Sequence, residues 1–431
     1  MSYTAFLLAP SVFLGDAFLP PRLQLLDERR QVVGDVSRHS DLFVIMRWKQ
    51  GERAALATYR RSPSRLHVLF EMPPAGDFDH EKQRPLTPTE HIKLFGRRLR
   101  EVWGDQIAFV DAGHIDDELH KEGLTRHPLT ELLERARLAG VAACPAISLS
   151  HSVTYRKACR RFVEWHPEFP ICVRVEATHL DSPTFQSDLR AMLDDLGCGA
   201  SRSLLVLDFK TLETSVGEMQ DEFVELIADQ IADFPFLHHW KGFAIALSSF
   251  PAAAKLHSGQ VKEYPRTDLS LYEKLISNPK GLLRTPMYGD YALDTSPIQK
   301  PQRRTPSAHL RYSTPRMYAI AKGTSVKKPH GYEAIFPVAD LLTSQAFYAG
   351  PAYSQGDSYI DGLHRRTAST GNAAKWRWAS TDHHLTSNGE RIAEIYGLSR
   401  VLELQHVSAP PTQGDLFAIE VSSSARKSET R

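Results

Sequence analysis

Short hydrophobic runs recur eight times between residues 42 and 292, and most of them end in a charged or hydroxyl residue. Each run is rich in β-branched and large apolar side chains, which is typical of a strand that is buried on both faces of a parallel sheet. The runs are LFVIMRWK (42–49), LHVLFE (66–71), QIAFVD (106–111), VAACPAIS (141–148), ICVRVE (171–176), SLLVLDFK (203–210), GFAIALSS (242–249) and TPMYGDY (285–291).

Amphipathic helical patterns separate most of these runs, and several carry their own start or stop signal. Thr87-Pro88-Thr89-Glu90 predicts a capping box with proline at the first helical position. Further helical patterns cover 128–140, 219–234 and 268–277. Eight strand–helix units of this size predict an α/β fold, a closed (β/α)8 barrel of the TIM type with parallel strands over residues 42–294.

The remaining chain predicts three further segments. Residues 1–41 form an N-terminal arm, residues 295–406 a basic and aromatic C-terminal region that packs on the barrel mouth as a lid, and residues 407–431 a disordered polar tail. Within the C-terminal region, MYAIAKG (317–323) predicts a strand and 386–406 predicts one helix.

Composition narrows the class of protein without identifying it. The net charge of +1 gives no overall preference for nucleic acid or membrane, so any such preference is local. The apolar run at 6–21 is interrupted by Pro10 and Asp16 and has no basic start, so it does not predict a secretory signal. The four cysteines lack CxxC spacing and predict buried, reduced thiols. We therefore expect a soluble cytoplasmic protein with no membrane partner.

Two windows of the C-terminal region contain no acidic residue, 295–332 and 362–381. Basic side chains interleaved with Trp and Tyr are what binding to a phosphate backbone requires. The alternative is a basic face that the acids of the barrel rim neutralise. The candidate residues are Arg303, Arg304, Arg311, Arg365, Arg366 and Arg377.

Several local motifs resemble the bacterial and phage "beta protein" family, which is named after a protein of T-even phages. They are KQGERAAL (49–56), SFP (249–251), YGDYA (288–292), LRYS (310–313) with MYAIAKG, YAGPAYSQGD (348–357) and WRWASTDHHL (376–385). The resemblance covers residues 42–385, whereas the long N-terminal arm departs from it. It implies an origin in phage genomes or in mobile and defence-associated bacterial neighbourhoods, and it implies no particular reaction.

Charged residues at the strand ends predict a polar site at the C-terminal mouth of the barrel. Asp111, Glu176 and Asp208 are the strongest candidates for catalysis. These carboxylates suit two kinds of chemistry. One is binding of Mg²⁺ or Mn²⁺, with Glu71, Asp111 and Asp208 as ligands. The other is division into a general acid and a general base. The alternative is structural pairing with Arg47, Arg174 or Lys210.

Two more catalytic candidates come from the resemblance motifs. Asp290 lies in a predicted Tyr288-Gly289-Asp290-Tyr291 turn that would project Asp and Tyr into the mouth; the alternative is a tight strand exit with aromatic packing. His384 is a candidate acid/base or metal ligand, and the alternative is a structural histidine pair. Strand-end lysines also allow a Schiff base, which the lack of a Gly-rich phosphate loop disfavours. The residues predicted to bind substrate or phosphate are Lys49, Arg174, Lys210, Arg311, Arg377 and Tyr291.

Two functions remain open from the sequence. The first is a barrel hydrolase in a phage–host conflict system, acting on an anionic, phosphate-bearing or nucleic-acid substrate, with Mg²⁺ or Mn²⁺ as its only expected cofactor. The second is a non-catalytic barrel scaffold in such a system, which binds nucleic acid, a nucleotide or a protein encoded in the same operon. Fold alone does not decide between them.

Overall fold

The computed structural model describes residues 37–398, except for 60–61, 63, 75–77, 80–83, 86, 120–124, 252–255 and 297–306. Most of the predicted N-terminal arm, the predicted tail, Arg303 and Arg304 lie outside the described residues. None of the described helices is long and apolar enough to cross a membrane.

Eight parallel strands close into a barrel in which each strand pairs with its neighbours in the chain and β8 pairs with β1. The predicted (β/α)8 fold is therefore confirmed. The strands are β1 (Leu42–Arg47), β2 (Leu66–Glu71), β3 (Ala108–Asp111), β4 (Ala143–Ile147), β5 (Ile171–Glu176), β6 (Ser203–Thr211), β7 (Gly242–Ser248) and β8 (Met287–Asp290).

The strand register brings the predicted polar residues to one level. Arg47 pairs with Glu71 and Glu71 pairs with Asp111, so three strands end together. On the other side of the barrel Glu176 pairs with Asp208. Because all eight strands run parallel, these residues share the C-terminal rim.

Helices connect most of the strands and cover the barrel. The capping box is present, since Thr87 Oγ1 accepts the Glu90 N–H at 3.3 Å and Glu90 accepts the Thr87 N–H at 3.1 Å. The helices of this part of the chain are Gln50–Thr58, Pro88–Trp103, Pro128–Leu138, Val153–Trp165, Ala177–Leu180, Phe185–Leu196, Gln220–Ala232 and Thr267–Ile276.

The C-terminal part contains a small antiparallel sheet and three helices. The strands Ser307–Ser313 and Met317–Ser325 pair with each other, and the second also pairs with Gln260–Pro265, a strand that the sequence did not predict. The helices are Ile335–Thr343, Gln355–His364 and Ala373–Ile395.

The predicted helix 386–406 is wrong in its bounds. The helix begins at Ala373, where the Asn372 side chain accepts the Lys375 N–H at 3.0 Å, and it ends at Ile395. From the sequence, the basic and aromatic residues of its first turns, Arg377 among them, favour binding to a phosphate backbone. Trp376 and Trp378 are instead buried in this helix, so neither indole is available to stack on a base.

Gly289 explains the tight packing of β8 in the barrel wall. A Cβ built at this position would lie 2.7 Å from the carbonyl oxygen of Ile245 in β7 and 3.3 Å from the Phe43 ring in β1. The predicted turn at this glycine is wrong, since Gly289 lies inside a strand. It allows a neighbouring backbone, not a ligand, to approach closely.

Candidate functional site

Arg174 of β5 lies at the centre of a buried polar network inside the barrel, which we call the Arg174 network. Its Nη1 donates to Glu71 Oε1 at 2.7 Å and to Asp111 Oδ2 at 3.1 Å. Its Nε donates to Asp208 Oδ2 at 2.8 Å, and its Nη2 donates to the Tyr291 hydroxyl at 2.8 Å. The Tyr291 hydroxyl in turn donates to Asp208 at 2.6 Å. Three carboxylates thus face one guanidinium.

The two aspartates of the network each accept a backbone N–H in the same way. Asp111 Oδ1 accepts the N–H of Gly113, and Asp208 Oδ1 accepts the N–H of Lys210, each at 2.8 Å. One carboxylate oxygen therefore fixes the local backbone while the other bonds to Arg174. An irregularity in β6 between Asp208 and Lys210 places Lys210 at φ 54°, a strained left-handed conformation that the surrounding contacts must maintain.

Glu176 and Lys210 form the accessible part of the mouth. Lys210 Nζ donates to Glu176 Oε2 at 2.6 Å, and the side chains are 32% and 22% exposed for the lysine and the glutamate. Glu176 lies two residues beyond Arg174 on the same strand, so both point to the same face of the barrel wall. The pair therefore lies above the Arg174 network, within reach of a molecule that enters the mouth.

Two histidines that follow β4 and β5 in the chain border the mouth. His179 Nδ1 accepts the Glu176 N–H at 3.2 Å, and burial lowers the pKa of His179, which favours a neutral ring. His151 Nδ1 accepts the Ser148 N–H at 3.1 Å, and its Nε2 lies 3.3 Å from Asp111 Oδ1. Burial opposes ionisation of Asp111, but His151 and Arg174 outweigh it and hold the pKa of Asp111 well below its usual range.

The carboxylates predicted to hold a divalent ion are held together by an arginine. Glu71, Asp111 and Asp208 all bond to the Arg174 guanidinium, which occupies the centre of the set. Among the residues that the structure describes, no group of three or more His, Cys, Asp or Glu side chains is arranged to hold a metal ion. The Mg²⁺ or Mn²⁺ cofactor stays a prediction.

Asp290 and His384 lie in a second buried cluster, the Arg266 network. His384 Nε2 donates to Asp290 Oδ2 at 2.8 Å, and Asn388 Nδ2 donates to the same oxygen at 2.6 Å. Arg266 donates to the Asn388 side chain at 2.9 Å and to the Tyr288 hydroxyl at 2.8 Å. Burial lowers the pKa of His384 against the opposing effect of Asp290, so the ring is neutral with its proton on Nε2.

The expectation that Asp290 and Tyr291 both project into the mouth is therefore wrong for Asp290. Successive side chains of a strand point to opposite faces. Tyr291 reaches the Arg174 network inside the barrel, whereas Asp290 points to the C-terminal helix. His384 is fully buried there and both of its ring nitrogens are hydrogen-bonded.

The His383 side chain also forms its contacts inside the protein. Its Nε2 donates to the carbonyl oxygen of Ser313 at 2.7 Å, and its Nδ1 lies 2.8 Å from Asp357 Oδ2. Since a carbonyl oxygen only accepts, the Nδ1–Asp357 contact requires a second proton on the histidine or one on the carboxyl group. The pair joins the C-terminal helix to the helix Gln355–His364.

Three arginines converge where β1 and β8 end, on the backbone of residues 293–295. Arg311 Nη1 and Arg377 Nη1 donate to the carbonyl oxygen of Leu293 at 2.5 and 3.0 Å, and Arg47 Nη2 donates to that of Thr295 at 2.7 Å. Two acids lie among them: Asp294 Oδ2 is 2.9 Å from Arg47 Nη1, and Glu52 Oε1 is 3.9 Å from Arg377 Nη1. We call this set the basic cluster: Arg47, Glu52, Asp294, Arg311 and Arg377.

Other predicted anion-binding residues are arranged differently. Arg366 forms a two-pronged ion pair with Asp340 at 2.9 and 2.6 Å, and Arg365 pairs with Asp361 at 2.8 Å. Both acids lie outside the acid-free windows, which is why the sequence did not reveal the pairing. Lys49 is the residue that immediately precedes the helix Gln50–Thr58 and adds positive charge near Glu52.

Sequence reasoning missed Glu52, Asp294, Arg266 and Asp268 as site residues. Glu52 falls within the motif KQGERAAL, but an acid in the first turn of a helix is usually assigned to the helix dipole. Arg266 follows an unpredicted strand, so no pattern indicated its burial. Asp268 accepts the Tyr318 hydroxyl at 2.9 Å, a contact between segments far apart in the chain.

The fold and its rim define a (β/α)8 barrel whose C-terminal segments are attached by buried arginine networks. Three motifs that resemble the beta protein family meet in the basic cluster, since KQGERAAL, LRYS and WRWASTDHHL contribute Glu52, Arg311 and Arg377. The model of the Beta protein family matches residues 44–389, and the chain belongs to that family. No curated protein was found to match the chain.

Proposed function

We propose that this protein is a hydrolase that acts on an anionic, phosphate-bearing substrate at the C-terminal mouth of its barrel. The observation that supports this most is the accessible Glu176–Lys210 pair, held at 2.6 Å above the buried Arg174 network. A carboxylate beside an ammonium group, on a rigid and strained support, is an arrangement suited to acid–base chemistry.

Each group of the pair has a role in hydrolysis of a phosphate ester. Glu176 accepts a proton from a water molecule, whose oxygen forms the new bond to phosphorus. The ester P–O bond breaks, and Lys210 stabilises the negative charge that develops on the phosphoryl and leaving oxygens. The leaving oxygen then takes up the proton, so the products are an alcohol and a phosphate.

The distribution of charge around the mouth supports an anionic substrate. The basic cluster lies at the end of β1, and β5 with Glu176 lies diametrically opposite in the strand order. A substrate with one phosphate group at β1 would therefore extend across the mouth and place a second phosphate ester at Glu176. We propose a nucleotide or nucleic acid as this substrate and a cytoplasmic role in phage–host conflict, on the grounds of the family context alone.

A non-catalytic scaffold is the second candidate function. It is favoured by the saturation of the deepest carboxylates, since Glu71, Asp111 and Asp208 are all paired with Arg174. In this role the barrel would hold the C-terminal segments in place to bind nucleic acid or a protein partner.

A hydrolysis screen distinguishes the two functions. Purified protein is incubated with nucleotides, phosphomonoesters and single-stranded oligonucleotides, with and without Mg²⁺ or Mn²⁺, and the products are resolved by chromatography. Lys210→Met should lower the rate at which any hydrolysis product forms by about 10²-fold or more. The matched control is Lys274→Met, which removes a lysine paired at 2.6 Å with exposed Asp221 and should leave the rate unchanged. Absence of any product, or equal rates in both variants, would favour the scaffold.

A further inference from the structure

The basic cluster holds more positive charge than its own acids neutralise. Three guanidinium groups surround residues 293–295, and the acids among them are Asp294 and Glu52. Burial opposes ionisation of Asp294, but Arg377 and Arg47 outweigh it and hold the pKa of Asp294 at about 2. Asp294 is therefore ionised at neutral pH and accounts for one negative charge.

The arginines are fixed in place yet keep unused donors. Among the described residues Arg311 donates one side-chain hydrogen bond, to the carbonyl oxygen of Leu293. Its guanidinium lies 5.0 Å above the Phe250 ring, which orients it. Burial, followed by the nearby Arg377, lowers the pKa of Arg311 to about 9. The cluster thus keeps cations close together at an energetic cost, which a bound anion would relieve.

Besides the excess positive charge of the cluster, a second and independent observation at Glu52 points to a ligand. It is 2% exposed, and its Oε2 has no hydrogen-bond partner among the described residues. Burial raises the pKa of Glu52 in spite of the nearby arginines, which favours its protonated form more than in an exposed glutamate. The charged groups that face it come from every element packed around it: Lys49 of its own helix start, Arg47, Asp294, Arg311 and Arg377.

A neutral carboxylic acid has an O–H to donate, and a buried O–H without an acceptor is unfavourable. An anion placed among the three guanidiniums would provide that acceptor. Phosphate suits the arrangement better than a carboxylate because it presents more oxygens and binds guanidinium groups in two-pronged pairs.

We infer that the basic cluster is a binding site for a phosphoryl group, with the buried Glu52 carboxyl group forming a hydrogen bond to one of its oxygens. That the phosphoryl group belongs to a substrate rests on the proposed function. Binding of a phosphoryl group to the basic cluster does not require the protein to be a hydrolase. Arg377 and Arg47, whose side chains are 24% and 12% exposed, form the accessible side of this site.

Calorimetric titration of the full chain with pyrophosphate tests the site. Arg377→Gln should weaken binding at least tenfold, because it removes a partly exposed guanidinium without emptying the core. Arg365→Gln is the matched control, since Arg365 lies in the same region of the chain and pairs with Asp361. It should bind pyrophosphate as the natural protein does. Melting temperatures verify that both variants are folded.

The variant Glu52→Gln tests whether the affinity for pyrophosphate depends on the hydrogen bond from residue 52 or on its charge. Glutamine retains a donor and does not ionise, so its affinity should be closest to that of the natural protein at low pH. As the pH rises, ionisation of Glu52 in the natural protein repels the anion. The variant should therefore gain affinity relative to the natural protein between pH 5.5 and pH 8.5, and the comparison at equal pH cancels the titration of pyrophosphate itself.

A nucleoside diphosphate and a short single-stranded oligonucleotide, titrated in parallel, show which source of phosphate the site prefers. The inference is overturned if the natural protein binds none of the three ligands, if Arg377→Gln binds them equally well, or if Glu52→Gln abolishes binding in a folded protein. Binding of pyrophosphate without hydrolysis of any substrate in the screen would refute the proposed function and leave the phosphoryl site standing.

Discussion

The Nη1 of Arg174 lies 2.7 Å from Oε1 of Glu71, although 103 residues separate the two in the chain. Their strands β5 and β2 are not neighbours, because β3 and β4 lie between them in the sheet. The bond therefore crosses the barrel interior. It converts a set of mutually repelling strand-end acids into one buried network, and it provides the support for the Glu176–Lys210 pair above.

Arg174→Gln should destabilise the protein strongly. It leaves Glu71, Asp111 and Asp208 buried without their shared cation, and breaking a buried ion pair typically costs about 3–5 kcal/mol. Chemical denaturation measures the difference. Arg126→Gln is the control, because Arg126 forms only surface ion pairs with Glu131 and Glu134 and should leave stability unchanged. A loss of less than about 1 kcal/mol in Arg174→Gln would contradict the assigned role of the network.

The protein should lose stability in acid. The pKa values of Asp111 and Asp294 are lower in the folded protein than their ordinary value of 3.8. The stability that each contributes is thus complete above about pH 3.8 and is lost as the pH falls below it, down to about 2 for Asp294. Denaturation at pH 7, 5 and 3 measures the loss. Asp111→Asn should show a smaller decrease between pH 5 and 3 than the natural protein, and an equal decrease would count against this account.

Gly289→Ala should destabilise the barrel wall. The added Cβ would lie 2.7 Å from the Ile245 carbonyl oxygen, and overpacking of this kind costs about 1–3 kcal/mol. Gly199→Ala is a matched control because a Cβ there has no atom within 4 Å and its backbone has φ −78°, which alanine adopts without strain. Melting temperatures should fall for the first variant and stay unchanged for the second. The same melting temperature in both would refute the close packing of β7 and β8.

The barrel could be predicted from the sequence because its strands are continuous apolar runs that end in polar residues, as in LFVIMRWK and ICVRVE. The helix Ala373–Ile395 was predicted incompletely because Lys375 and Arg377 mask a pattern in which Trp376 and Trp378 are buried. The strand-end acids were identified correctly as sharing a rim. The alternative that these acids pair with Arg174 or Lys210 was stated from the sequence and is confirmed. Which acid meets which cation was not predictable, since the bonds from Arg174 to Glu71 and from Arg266 to Asn388 join residues over 100 positions apart.

The same limit applies to the direction in which side chains point. Asp290 and Tyr291 are adjacent in the sequence, and only the position of the strand in the barrel decides which of them faces the interior. Nothing in the sequence around Glu52 indicated that its carboxyl group belongs to a site. Its neighbours Arg311 and Arg377 come from segments more than 250 residues away.

The most direct test of the proposed function is the hydrolysis rate of Glu176→Gln, measured together with its melting temperature on the best substrate of the screen. Glu176 is partly exposed and pairs with Lys210, so the substitution should leave the melting temperature nearly unchanged. Loss of the proton acceptor should lower the rate by about 10²–10⁴-fold. A folded Glu176→Gln protein that hydrolyses the substrate at the natural rate would contradict catalysis at this mouth.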